Sequence, residues 1–109
     1  MTQPAAGGRE AVRSTVPKMI EVTENVIYGE IWERPGLSKR DRSLVVVATL
    51  IATYRPEQLR GHLGRALDNG VTKQEIAEVI THLAFYAGWP SSMTAARIAK
   101  EVFEERGIS

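Results

Sequence analysis

No cysteine occurs among the 109 residues, which removes disulfides, thiolate metal sites, cysteine nucleophiles and dithiol redox chemistry together. Histidine is nearly as scarce. His62 and His82 fall on different predicted helices without an HExxH-like pairing, so neither a zinc nor an iron site is expected, and the metal expectation is none. The formal net charge of +1 gives no general attraction to nucleic acid or to an anionic membrane. The longest apolar run, residues 44–52, is too short to cross a bilayer, and residues 1–9 lack the apolar stretch of a secretion signal. A cytoplasmic protein is the expectation. Neither an internal repeat nor a stretch that would pair as a sheet is present, and the length suits one small domain with one core.

What is there reads as helix. Residues 1–12, with Pro4 and the Gly7-Gly8 pair, are expected to form a disordered or loosely ordered tail, followed by a single helical domain over 13–109. Val16, Met19, Ile20, Val26, Ile27 and Ile31 make an interrupted helical stripe over residues 14–32, which Pro35 and Gly36 end. Ser38 with Asp41 three residues on is a capping box before the apolar run at 44–52, whose valines would also suit a buried strand; the cap decides for helix. Pro56 opens a third helix and Gly70 stops it. Thr72 and Glu75 form a second capping box ahead of a helix with Ile76, Val79, Ile80, Leu83, Tyr86 and Ala87 on one side. Pro90 starts the last helix, which ends near Gly107. The expectation is an all-α bundle of five helices. Trp32, Phe85, Tyr86, Trp89 and Phe103 are more aromatic side chains than so small a core needs, so some are expected between subunits.

The third helix carries the most informative pattern. Leu59, His62, Leu63, Ala66 and Leu67 recur at spacings of three and four, which puts the imidazole on an apolar face. Two roles fit it there: a core histidine satisfied by a backbone carbonyl, or a group beside a pocket that holds a proton near neutral pH.

The segments Tyr28-Gly29-Glu30-Ile31-Trp32-Glu33-Arg34-Pro35-Gly36-Leu37, Arg40-Asp41-Arg42-Ser43-Leu44, Gln58-Leu59 through His62 to Ala66-Leu67, Asn69-Gly70-Val71-Thr72 and Tyr86-Ala87-Gly88-Trp89-Pro90 together resemble the carboxymuconolactone decarboxylase family across residues 20–102. The resemblance implies an alkylhydroperoxidase D-like helical fold, assembled as a homotrimer or a homohexamer. In the redox branch of that superfamily a CxxCxxxH motif is followed by a glycine eight residues later. His62 and Gly70 keep that spacing, while the cysteine positions fall at Arg55 and Gln58 and an upstream glutamate at Ser43. Thiol peroxidase activity is excluded by residue identity, since neither Arg nor Gln cycles through a sulfenate.

The reaction that names the family removes the ring carboxylate of γ-carboxymuconolactone, in the catabolism of aromatic compounds, and sends its electrons through a double bond into the lactone carbonyl. The substrate is its own electron sink, so no cofactor is expected. The protein must supply a cation for the remaining carboxylate, donors at the enolate oxygen, and an acid for the carbon. His62 is the candidate acid, with Glu30 as a carboxylate able to orient its ring, though a solvated helix-end charge is the plainer reading of Glu30. Arg42, on the first turns of its helix, is the candidate carboxylate ligand; a surface ion pair with Asp41 or Glu33 explains it as well. Arg34 and Trp32 could line the pocket mouth, and Tyr86 and Trp89 an apolar wall, though solvation of the arginine and core packing of the two rings are the plainer readings. His82 reads as an exposed helical pair with Glu78.

Competing classes are weaker. Residues 69–80 look like a turn and a recognition helix, but Glu75 and Glu78 would oppose phosphate. A relative with different lyase or isomerase chemistry on an enolisable carboxylate, or a small-ligand binding protein without turnover, fits the same residues.

Overall fold

In the computed structural model, residues 6–109 are described, with side chains from residue 8. The six α-helices are α1 (Ala6–Val12), α2 (Pro17–Val22), α3 (Lys39–Ala52), α4 (Pro56–Asp68), α5 (Lys73–Tyr86) and α6 (Trp89–Glu105), and a π-helical segment, Thr23–Ile31, continues α2. No strand occurs among the described residues. Of the tail expected over residues 1–12, residues 1–5 lie outside the described ones and Ala6–Val12 forms α1.

Local chemistry sets most boundaries. Ser38 Oγ accepts from the Asp41 backbone N–H at 3.0 Å and starts α3. Asp41 does not complete the expected box: its shorter carboxylate accepts from Arg40 Nη1 instead, at 3.2 Å. The box at α5 is complete, because Thr72 Oγ1 accepts from Glu75 N–H at 3.1 Å while Glu75 Oε1 accepts from Thr72 N–H at 2.9 Å. Gly88, at φ 108°, makes the turn between α5 and α6 that a side-chain-bearing residue would strain.

The core lies among α3, α4, α5 and α6. Ser43, Val47 and Ile51 form the buried stripe of α3, at the four-residue spacing of a helix and not the alternation of a strand. Leu59, Leu63 and Ala66 from α4 meet Ile76 and Ile80 from α5 and Ile98, Ala99 and Val102 from α6. Two polar contacts, the first buried and the second partly so, tie the helices together: Ser92 Oγ donates to the Ile80 carbonyl at 2.9 Å, and Asn69 Nδ2 donates to Ser43 Oγ at 3.0 Å. Gly64 provides a close approach of another kind than helix on helix. A Cβ there would lie 2.7 Å from Arg106 Nη2, and Arg106 in turn pairs with Asp68 at 2.8 Å.

The helix expected over residues 14–32 divides. Trp32 N–H donates to the Ile27 carbonyl, five residues back, at 2.9 Å, the bond of a π-helix. That wider turn explains the interrupted stripe: Val26, Ile27 and Ile31 are exposed, and none of the segment's residues is fully buried. The segment, α2 and α1 form an arm whose helices pack mainly on one another. Glu24 ties the arm together, with Arg13 Nη2 at 2.6 Å and Arg9 Nε at 3.5 Å.

Candidate active site

His62 sits midway along α4, half-buried beside the sealed Leu63. Its Nδ1 is buried and has no hydrogen-bond partner, so the ring is not the carbonyl-satisfied core histidine of the plainer reading. Burial pushes its pKa below the ordinary histidine value, and the nearby Arg65 guanidinium pushes it further the same way. The resting imidazole is therefore neutral near pH 7. A folded state that disfavours the proton is at full stability above the unfolded pKa of roughly 6.5 and loses stability as pH falls through that value toward the folded one. The melting temperature of the wild type is expected to fall more steeply with acid below about pH 6.5 than that of His62→Gln. Equal slopes would remove the burial penalty assigned to His62.

Arg65, one turn further along α4, is 6 % exposed. Its guanidinium lies 4.3 Å from the centre of the Tyr28 ring and 5.6 Å from that of Trp32. Those rings stack on each other with centroids 6.0 Å apart and planes 28° from parallel, both carried by the turn of the π-segment. Arg9 approaches the Tyr28 ring as well, at 5.0 Å. Arg65 Nη2 is buried without a hydrogen-bond partner, and no carboxylate among the described residues pairs with this side chain. Stacking on an aromatic face returns about 0.5–2 kcal/mol, against several kcal/mol for removing an ion from water. The balance leaves a positive charge near His62 that no ion pair among the described residues neutralises.

Sequence reasoning missed Arg65 and Tyr28. The signals were spacings: Arg65 is three residues after His62, and Tyr28 is four before Trp32. Trp32, which was singled out, is buried at 8 % exposure on this same shelf. Arg42 is half-buried; its Nη2 donates to the Arg34 carbonyl at 3.1 Å, and its Nε is buried without a partner. The surface pair that would explain Arg42 is not formed, since Asp41 accepts from Arg40 and Glu33 pairs with Lys39 at 2.9 Å. The Arg34 side chain is exposed and contributes only its carbonyl.

The other candidates lie apart from this group. Glu30 is exposed and forms no hydrogen bond with His62. Tyr86 and Trp89 do not pack into the core, and Tyr86 does not share the buried side of α5 as its spacing suggested. Together with Phe85 and Met93 they are between 57 % and 78 % exposed, at the junction of α5 and α6. Phe85 meets Trp89 edge-on at 5.3 Å, and His82 contacts Tyr86 at 4.8 Å where a pair with Glu78 was expected. Among the described residues a hollow of about 510 Å³ lies between α5 and α6 and another of about 280 Å³ beside Arg40 and Glu75, and His62 lines neither.

An all-helical bundle that carries His62 half-buried on α4 has counterparts among known families. Residues 17–101 match the carboxymuconolactone decarboxylase family, and the chain belongs to it. Among its relatives is the 4-carboxymuconolactone decarboxylase of Acinetobacter baylyi, 49 % identical over 82 residues, which are 75 % of this chain and 61 % of that protein. The nitrosuccinic acid decarboxylase of Metarhizium robertsii is 34 % identical over 97 residues, 89 % of this chain and 67 % of its own length. The chain thus spans about three-fifths of the length of the first of these relatives. No helix among the described residues is long and apolar enough to cross a membrane.

Proposed function

We propose that the chain is a cofactor-independent decarboxylase of a small carboxylated lactone or related dicarboxylic acid in aromatic-compound catabolism. The observation that carries this reading is His62: a half-buried imidazole with an unpartnered Nδ1, in a family whose relatives are named for decarboxylation. Those two relatives are named for acids of one chemical kind, each with a carboxylate next to a group that takes up electrons. On γ-carboxymuconolactone the bond to the ring carboxylate breaks, CO2 leaves, and the electron pair passes through the double bond to the lactone carbonyl oxygen as an enolate. The His62 imidazolium then gives its proton to carbon and recovers one from solvent.

A depressed pKa makes this imidazolium a strong acid but leaves little of it charged. An incoming dianion reverses that by favouring the charged ring, so substrate binding loads the proton. Arg42, with Nε unpartnered and no carboxylate of its own, is the ligand for the spectator carboxylate. Trp32 forms part of the apolar floor.

The test is CO2 release and ultraviolet absorbance with purified protein and γ-carboxymuconolactone or nitrosuccinate. Conversion of the lactone to the enol-lactone supports the reading as stated, and conversion of nitrosuccinate alone moves the substrate within the class. Binding of both without CO2 release would overturn it in favour of a ligand-binding protein.

The exposed Phe85, Tyr86, Trp89 and Met93 support assembly of several copies, as a trimer or a hexamer, through the corner of α5 and α6. Light scattering is expected to give a mass several times that of one chain, and Trp89→Glu to reduce it to that of the single chain. A monomeric wild type would remove this part of the reading.

A further inference from the structure

We infer that Arg65 is a second carboxylate-binding residue of the His62 site, held unneutralised by stacking on Tyr28 and Trp32 so that the ligand supplies its counter-charge. The inference rests on the decarboxylase reading only for the kind of acid bound.

Charge assignments around it are specific. On the arm, Glu24 is shared by Arg13 and Arg9, Glu10 pairs with Arg13, Glu21 with Lys18, and Glu33 with Lys39. Glu30 is exposed and forms no ion pair with Arg65. Among the described residues Arg65 alone combines burial at 6 % exposure, an unpartnered Nη2 and the absence of an ion pair. The way it is held matters as much as the missing partner. An aromatic face attracts a guanidinium without supplying the acceptor oxygens of a carboxylate, so the two rings leave Arg65 its capacity for one. A carboxylate takes two parallel donors of this kind, and a lysine ammonium offers neither the plane nor the pair. The arm that carries Tyr28 and Trp32 packs mainly on itself, and the inference requires a small displacement of it from α4 to admit a ligand to Nη2.

The position also links binding to proton loading. Arg65 is the cation that disfavours a charged His62, and a carboxylate seated on it cancels that repulsion. The two events then read out together.

Succinate is the probe, with neutral succinamide as its control at matched ionic strength, on the full chain. Succinate is expected to raise the melting temperature of the wild type and to move the NMR titration midpoint of His62 upward, with exposed His82 as the internal control. Succinamide is expected to do neither. Arg65→Gln is expected to weaken succinate at least tenfold and to abolish the movement of the His62 midpoint, and Arg65→Lys to fall between. Unchanged succinate affinity in Arg65→Gln, no binding to the wild type, or binding that leaves the His62 midpoint in place would each overturn the inference. Should Arg65→Gln not fold, the wild-type titration and Arg65→Lys decide. Absence of turnover with γ-carboxymuconolactone counts against the reaction alone, because the succinate titration does not involve it.

Discussion

His62→Ala is expected to lower kcat for decarboxylation by on the order of a hundredfold or more while the chain stays folded. The size follows from the role. Protonation of carbon by a placed acid contributes about that factor, and no other imidazole approaches α4, since His82 is exposed against Tyr86. The stability half of the expectation follows from the unpartnered Nδ1. Removing the ring breaks no hydrogen bond there and relieves a buried polar atom, so circular dichroism is expected to show native helix content and a melting temperature close to that of the wild type. Turnover unaffected by the substitution would take His62 out of the mechanism and leave the family assignment intact.

Leu63→Ala, at the neighbouring position, is expected to do the reverse. Leu63 is 0 % exposed and lies in the centre of the cluster formed by α3, α4, α5 and α6. Deleting a buried leucine side chain costs about 2–5 kcal/mol, more where the walls do not collapse into the space. For a domain of this size each kcal/mol lowers the melting temperature by roughly 4–8 °C, so the loss is read directly in a thermal or urea melt. A change below about 0.5 kcal/mol would mean that α4 is not packed as described. The two substitutions are adjacent in sequence and expected to separate chemistry from stability, because one side chain carries a buried nitrogen without a partner and the other lies in the apolar cluster.

The helices of the bundle were legible because their signals are local. Ser38, Thr72 with Glu75, Pro56, Gly70 and Gly88 act within a few residues of themselves, and α3 to α6 begin and end where those residues stand. The apolar stripe of α4 was legible for the same reason, with Leu59, Leu63 and Ala66 all buried as their spacing required. The arm was not. A stripe broken by β-branched residues does not distinguish an irregular α-helix from a π-turn, and the wider turn is what brings Tyr28 and Trp32 to Arg65. Tyr86 shows the opposite error: its spacing placed it on the core side, but the ring, on the last residue of α5, is 78 % exposed.

By itself the sequence determined the helical class, the caps, the absence of thiol chemistry and the place of His62 on an apolar face, since each depends on residue identity and short spacing. The tertiary structure decided which arginine stands uncompensated beside that histidine. Counter-charges are assigned through space: Glu24 pairs with Arg13 and Arg9, Asp68 with Arg106, and Glu33 with Lys39, which leaves Arg65 on two aromatic faces without an acid.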